Sequence, residues 1–104
     1  MDILAAAAAI VLIIEFGVVE EKRDAFVAIS TERIEEIRAF DGNQSFDVLV
    51  DETRPGVVVY VEKWDDADKQ AAFYDWWVAE GMTERLSPLV TAAPKISRFE
   101  VAGD

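Results

Sequence analysis

The 104-residue sequence predicts an α+β fold with the element order β-α-β-β-α-β. This is the ferredoxin-like arrangement, in which a four-stranded antiparallel sheet carries both helices on one face. Three observations support it: β-branched runs alternate with segments of helical periodicity, a Pro-Gly turn joins two strand-like runs, and no repeat or linker divides the chain. The length is typical of one domain, so residues 1–104 are expected to fold together.

The first strand and the first helix are predicted within residues 10–40. Ile10 to Val18 is rich in β-branched residues, which are typical of strands, and both of its faces are largely apolar. Glu20 to Phe40 predicts one continuous helix, because its apolar residues recur with a period near 3.6. Asp41-Gly42 ends this helix, since glycine readily takes the left-handed conformation that follows a helix end.

Residues 1–9 precede strand 1 and are expected to form an extended or helical lead-in. The apolar run from Ile3 to Ile14 is too short to span a bilayer. It also follows Asp2, where a signal peptide would carry a positive residue. These features predict a cytoplasmic protein that does not enter a membrane.

A β-hairpin is predicted in the middle of the chain. Ser45 to Asp51 alternates in polarity and predicts strand 2, and the valine-rich run Val57 to Trp64 predicts strand 3. The segment Thr53-Arg54-Pro55-Gly56 between them has the composition of a turn. Proline fixes φ there, and glycine accepts the positive φ that follows.

The last third of the sequence predicts a second helix, a short helical piece and a fourth strand. Asp65 or Asp66 can cap helix 2, which is expected to run to about Val78 before Gly81 ends it. The two elements that follow are the short helical piece Met82 to Val90 and strand 4, Lys95 to Val101.

The strands also predict a homodimer. Strands 1 and 3 carry apolar side chains on both faces, whereas the two helices can cover only one face of the sheet. In strand 3 the two faces are Val57, Val59, Val61 and Val58, Tyr60, Trp64. Burial of a valine side chain is worth about 1.5–3 kcal/mol, so an uncovered apolar face favours association. We therefore expect two copies to pack sheet against sheet.

The composition excludes several classes of function. The chain has no histidine and no cysteine, which argues against zinc, against haem held by a protein nitrogen or sulfur ligand, and against iron–sulfur clusters. Its formal net charge is −11, which argues against nucleic-acid binding and against docking on anionic membranes. A site for magnesium or calcium made of carboxylates alone stays open, but the sequence has no EF-hand loop, and no metal site is predicted.

Five short segments, taken in order along the chain, carry a family resemblance. They are Glu15-Phe16, Gly42-x-x-x-Phe46, Tyr60-Val61-Glu62-Lys63-Trp64 with the acidic turn after it, Leu86-Ser87-Pro88-Leu89 and Arg98-Phe99-Glu100-Val101. Together they resemble the antibiotic biosynthesis monooxygenase (ABM) family of small dimeric α+β barrel proteins. The likeness covers nearly the whole chain, which is similar to a single ABM domain.

The resemblance implies a pocket between sheet and helices for a flat polycyclic or quinol-like substrate. Family enzymes oxygenate such molecules with molecular oxygen and without metal or flavin, so no cofactor is expected. The protein supplies a dry cavity, proton handling and an anion-stabilising group. This sequence departs from many relatives at Phe73, nine residues after Trp64, where they carry histidine. The haem-degrading branch of the family needs a histidine to hold iron, and the absence of histidine from this sequence argues against that branch.

Three residues are candidates for catalysis. Trp64 matches the family tryptophan and is expected to stack on an aromatic substrate or to donate from its indole N–H; the alternative is a packing role in the core. Glu62 is a candidate general base with a raised pKa, and the alternative is a charge paired with Lys or Arg. Arg85 is a candidate to stabilise an oxyanion, and the alternative is a solvated charge on a helix.

Five aromatic residues are predicted to line the pocket: Phe26, Tyr60, Phe73, Tyr74 and Trp77. Both tyrosines are possible proton donors, or else hydrogen-bonded core residues. The helix 2 aromatics cannot all face one way, because adjacent helical residues diverge by about 100°. An ordinary amphipathic helix or a dimer rim is the alternative for them.

These observations lead to a first hypothesis and two alternatives. The first is a cofactor-independent monooxygenase acting on a polycyclic aromatic, quinol or anthrone-like molecule. The second is a non-catalytic dimer that binds a hydrophobic aromatic small molecule or serves in assembly. The third is a lyase or isomerase of a related dimeric barrel family.

Overall fold

The computed structural model describes residues 8–103 and confirms the predicted ferredoxin-like fold. Four antiparallel strands lie in the sheet order β2-β3-β1-β4. The strands are β1 (Ile10–Gly17), β2 (Asn43–Val50), β3 (Val57–Trp64) and β4 (Lys95–Glu100). The helices are α1 (Arg23–Thr31), α2 (Ile34–Arg38), α3 (Ala67–Ala79) and α4 (Met82–Leu86), with 3-10 turns at Glu20–Lys22 and Ser87–Leu89. The predicted lead-in over residues 1–9 lies, apart from residues 8 and 9, outside the described residues.

Strict alternation along β3 separates the two faces of the sheet. Val58, Tyr60, Glu62 and Trp64 point toward the helices and are at most 3% exposed. The residues between them, beginning with Val57, lie on the opposite face and are half-buried. Successive residues of a strand point to opposite sides of the sheet, and residues paired across neighbouring strands point to the same side. The pairing of β1, β2 and β4 therefore assigns each of their residues to one of the same two faces. We call the helix-covered side the inner face and the other side the outer face.

The predicted continuous helix over Glu20–Phe40 is wrong in one respect, because the structure interrupts it. A 3-10 turn leads into α1, and the helix breaks at Glu32 and Arg33 before α2 begins. The side chains at the break pair with residues distant in sequence. Glu32 accepts two hydrogen bonds from Arg85, and Arg33 donates to Glu80 at 2.6 Å. Periodicity does not detect this break, since the apolar stripe continues through it to the buried Ile37.

The predicted hairpin is present with small changes in boundary, but the positive φ predicted for Gly56 in its turn is wrong, because Gly56 does not take the left-handed conformation. β2 and β3 pair in register from Ser45 opposite Lys63 to Val50 opposite Val58, with an irregularity at the start of β2. Gly42 has φ +87°, and a Cβ there would lie 2.5 Å from the Lys69 side chain, so both conformation and space require glycine. Asp66 caps α3 by accepting the Lys69 backbone N–H at 2.8 Å.

The core lies between the inner face and the helices, and it is rich in aromatic rings. Phe46 packs against Tyr60, Phe73 and Trp77 with ring centroids 5.4–6.5 Å apart. The Phe73 ring also lies 4.7 Å from that of Trp64. Rings at these separations attract one another beyond the effect of burial alone. Within residues 8–103, no helix has the length and apolar character needed to cross a membrane.

Candidate functional site

A pocket of about 560 Å³ lies between the inner face of the sheet and helix α3. Its inner end is formed by buried side chains of β3 and α3, among them Tyr60, Glu62 and Phe73. The half-exposed Tyr74 and Ile96 also line it, so the pocket opens to solvent beside β4. The rest of the lining is Ile14, Phe16, Phe46, Gln70, Trp77, Thr83, Leu86, Ser87, Val90, Thr91, Ala92, Ala93 and Pro94. Clefts of this size and apolar character commonly bind small molecules.

Glu62 is the one carboxylate among the described lining residues, and it is only 3% exposed. Its neighbours across the sheet are apolar: Leu12 lies opposite it on β1 and Phe46 on β2. Burial among these groups disfavours the charged form and raises the pKa of Glu62 to about 7. The hydrogen bond from the Trp64 indole acts in the other direction and lowers the pKa.

The Glu62 carboxylate is held by one oxygen. Trp64 Nε1 donates to Oε1 at 2.9 Å, whereas Oε2 has no hydrogen-bond partner among residues 8–103. No buried polar side-chain atom in this part of the chain lacks a partner, so Oε2 is not fully enclosed. Since Glu62 lines the pocket, Oε2 is the carboxylate oxygen open to a ligand there.

Tyr60 lies two positions before Glu62 on the same strand face and forms a buried hydrogen bond with the Ser30 hydroxyl of α1. Burial is the main cause that raises the pKa of Tyr60, and the nearby Glu62 carboxylate adds to it. The phenol therefore stays protonated at neutral pH. It is a hydrogen-bonded polar group beside an otherwise aromatic wall.

Helix α3 supplies the wall opposite the sheet. Phe73 and Trp77, one turn apart, are buried and line the pocket, and Tyr74 lines its exposed side. Trp76 is directed elsewhere: it packs against Phe40, and the Arg33 guanidinium lies 4.7 Å from its ring centre. Only part of the aromatic surface of α3 thus belongs to the pocket.

The remaining predicted site residues lie outside the pocket lining. Trp64 is fully buried beside Glu62 on the same face of β3, and Phe26 is fully buried against Phe16 and Tyr60. Arg85 of α4 is exposed and donates to both carboxylate oxygens of Glu32, at 2.8 and 3.0 Å. The structure therefore brings Tyr60, Glu62, Phe73, Tyr74 and Trp77 together in one pocket and leaves Trp64, Phe26 and Arg85 behind it or at the surface.

Sequence reasoning missed Ser30 and the segment that borders the mouth of the pocket. A serine on the first helix carries no distinguishing pattern, so its bond to Tyr60 could not be foreseen. The mouth residues 91–94 connect the last helical turn to β4, and their position depends on the tertiary fold. Ile14, Phe16 and Ile96 could have been found, because strand alternation and the register place all three on the inner face with Tyr60. Within the described residues, no group of three carboxylates is arranged to hold a metal ion.

Comparison with solved structures shows the same fold in bacterial proteins. A Nitrosomonas europaea protein, provisionally described as an antibiotic biosynthesis monooxygenase, superposes with a TM-score of 0.85 over 94% of each chain at 18% identity. A Deinococcus radiodurans protein with the same provisional description gives 0.81 at 19% identity, over 91% of this chain and 94% of that one. A conserved protein of unknown function from Bacteroides thetaiotaomicron superposes with a TM-score of 0.81 at 22% identity, over 92% of this chain and 100% of that one. At these identities the likeness shows the fold alone.

Comparison of the sequence itself is more specific. No functionally curated protein matches it. The sequence model of the antibiotic biosynthesis monooxygenase family does match, over residues 9–85, which include β1 to β3, the helices α1 to α3 and Glu62. This match covers more than half of the chain, and the chain belongs to the antibiotic biosynthesis monooxygenase family.

Proposed function

We propose that the protein is a cofactor-independent monooxygenase that oxidises a flat, hydroxylated aromatic molecule, of the polycyclic, quinol or anthrone type, in the pocket beside Glu62. One observation carries this proposal: a buried carboxylate has an open oxygen in a pocket walled by aromatic rings. Family membership supports the reaction class. The pocket chemistry supports the substrate class, because flat rings stack well against Tyr60, Phe73 and Trp77.

In this proposal Glu62 is the general base. Oε2 takes a proton from the substrate, which leaves an electron-rich anion. For an anthrone-like substrate, the anion transfers an electron to molecular oxygen, and recombination with uptake of a proton forms a C–OOH bond. Loss of water then breaks the O–O bond and leaves a carbonyl. The substrate CH₂ group becomes C=O, and the second oxygen atom leaves in water.

The geometry around Glu62 suits this role. Its pKa of about 7 lies near neutral pH, where a general base is most effective. Trp64 fixes the carboxylate through Oε1 and is therefore a positioning residue in the proposal. Arg85 could stabilise the substrate anion only after its ion pair with Glu32 opens and the side chain turns toward the pocket.

The proposal includes a homodimer formed through the outer face of the sheet. Ile13, Leu49 and Phe99 on this face are 37%, 48% and 52% exposed, and the half-buried Val59 and Val61 lie between them. The helices of residues 8–103 cover the opposite face. A second copy would remove this apolar surface from water.

A second candidate function is small-molecule binding without catalysis. The observation that favours it is the position of Arg85, which leaves no lysine or arginine among the described pocket-lining residues. A pocket without a cation binds a neutral aromatic molecule readily but stabilises an oxyanion poorly.

Oxygen consumption by the purified protein separates the two functions. A panel of anthrones and hydroquinones is to be assayed with wild type, Glu62→Gln and Glu84→Gln, the last being an exposed carboxylate away from the pocket. We expect turnover that rises with pH through about 7, a loss of about 100-fold in Glu62→Gln, and no loss in the control. Tight binding without oxygen uptake for every compound would favour the binding module.

A further inference from the structure

The charge distribution around the pocket is one-sided. Glu62 is the only acid, and no lysine or arginine lines the pocket, among the residues that the structure describes. The one lysine or arginine that the strands place on the inner face is Arg98 of β4, which lies opposite Leu12 and is exposed. From α3, Gln70 and Phe73 face the pocket, and the other titratable lining groups are Tyr60 and Tyr74. No positive side chain among these lining residues therefore offsets a negative ligand beside Glu62.

The carboxylate is also incompletely hydrogen-bonded. Trp64 occupies Oε1, and Oε2 is open to the pocket. A ligand hydroxyl that donates a hydrogen bond to Oε2 would stabilise it, because a buried polar atom without a hydrogen-bond partner costs free energy. A second carboxylate placed there meets like-charge repulsion that water screens only weakly.

We propose that Glu62 is the specificity-determining residue of the pocket: it admits uncharged aromatic ligands that donate a hydroxyl to Oε2 and rejects aromatic carboxylates. This rests on the proposed function only in placing the ligand in the same pocket. It concerns recognition and holds whether or not the bound molecule reacts with oxygen. The raised pKa of Glu62 is consistent with it, since the carboxylate is already poorly solvated before a ligand enters.

Three naphthalene probes test the inference, with quenching of tryptophan fluorescence as the readout of binding. 2-Naphthol carries the donor, 2-methoxynaphthalene lacks it, and 6-hydroxy-2-naphthoate adds a carboxylate. Near pH 8 we expect wild type to bind 2-naphthol about tenfold more tightly than either of the other probes. In Glu62→Gln the preference over the carboxylate probe should fall about fivefold or more, because the repelling charge is gone.

Wild type alone provides a second test that does not depend on folding of the variant. Lowering the pH from about 8 to about 5.5 protonates Glu62, so discrimination against the carboxylate probe should shrink. Equal binding of 2-naphthol and 6-hydroxy-2-naphthoate near pH 8, or a preference that Glu62→Gln leaves intact, would overturn the inference. If the protein prefers 2-naphthol over the carboxylate probe but consumes no oxygen with any substrate, the proposed monooxygenase activity is refuted and the inference stands. If it consumes oxygen but shows no such preference, the inference is refuted and the proposed activity stands.

Discussion

The indole of Trp64 donates a 2.9 Å hydrogen bond to the carboxylate of Glu62, its neighbour on the same face of β3. Side chains two positions apart on a strand point the same way, so both lie on the inner face under the helices. Trp64 is fully buried and does not line the pocket, whereas Glu62 does. The tryptophan thus connects the aromatic core to the one acid of the pocket within the described residues.

Replacing Trp64 with phenylalanine should destabilise the protein more at high pH than at low pH. The variant keeps aromatic packing against Phe40 and Phe73 but loses the donor to Glu62. A hydrogen bond to a charged group is worth about 1.5–3 kcal/mol, and Glu62 is charged only above its pKa. Urea unfolding near pH 8 and near pH 5 measures the difference. Trp76→Phe is the matched control, and an equal pH dependence in both variants would contradict the role of this bond.

Glu62→Gln should become progressively more stable than wild type as the pH rises. The pKa of Glu62 is raised from 4.5 to about 7 by folding, so the unfolded chain ionises first. The protonated Glu62 side chain therefore contributes its full stabilisation of the folded protein below about pH 4.5, and this stabilisation is lost as the pH rises through about 7. The lost stability amounts to about 3 kcal/mol, because each pH unit between the two pKa values corresponds to about 1.4 kcal/mol. Glutamine does not ionise, and its amide oxygen can still accept from Trp64.

The measurement is the difference in unfolding free energy between Glu62→Gln and wild type, taken at several pH values. The difference cancels the contribution of the other carboxylates, which both proteins share. A difference that stays constant from about pH 4.5 to pH 8 would show that Glu62 titrates normally.

The buried pair Ser30 and Tyr60 should show coupled effects on stability. Ser30→Ala leaves the Tyr60 hydroxyl without its partner, and Tyr60→Phe does the same to the Ser30 hydroxyl. Each single change is expected to cost about 1–3 kcal/mol, because a buried polar group is left unpaired. The double variant should cost less than the sum by about 1 kcal/mol. Strict additivity in chemical denaturation would mean that the two hydroxyls do not interact.

A charged side chain at the centre of the outer face should prevent the proposed dimer from forming. Val59 of β3 lies between Glu15 of β1 and Leu49 of β2 on that face. Val59→Lys is expected to shift the protein from dimer to monomer, since the interface would have to bury an ammonium where it now buries a valine, and this desolvation is costly even beside Glu15. The control is Val78→Lys on α3, a valine that is 47% exposed. Sedimentation velocity reads the change, and a wild-type monomer or an unaffected Val59→Lys dimer would refute the interface.

Sequence reasoning reached the order of elements and the faces of the strands because both follow from local patterns. Alternation along β3 placed Tyr60, Glu62 and Trp64 on one face, as the structure has them. The break at Glu32 and Arg33 was missed, because its side chains pair with residues of the later helices. Such partners are fixed by tertiary structure and leave no periodic signal.

The pocket was harder to predict than the sheet, and helix α3 shows why. Its aromatic residues surround much of the helix, so periodicity alone did not separate Phe73 and Trp77, which line the pocket, from Trp76, which packs elsewhere. The hydrogen bond from Trp64 to Glu62 was not predicted, for a related reason. Both the choice of partner and the open oxygen of Glu62 depend on side-chain geometry.

The most direct test of this account is a titration of the Glu62 side chain itself. Carbon-13 NMR of the glutamate carboxyl groups across pH 3 to 10, with Glu62→Gln to identify the signal, reports its pKa in the folded protein. We expect a midpoint near 7 in the free protein, because the carboxyl is buried beside the pocket. A midpoint near the ordinary 4.5 would contradict the account, since Glu62 would then be well solvated and could neither act as a tuned base nor select ligands by charge.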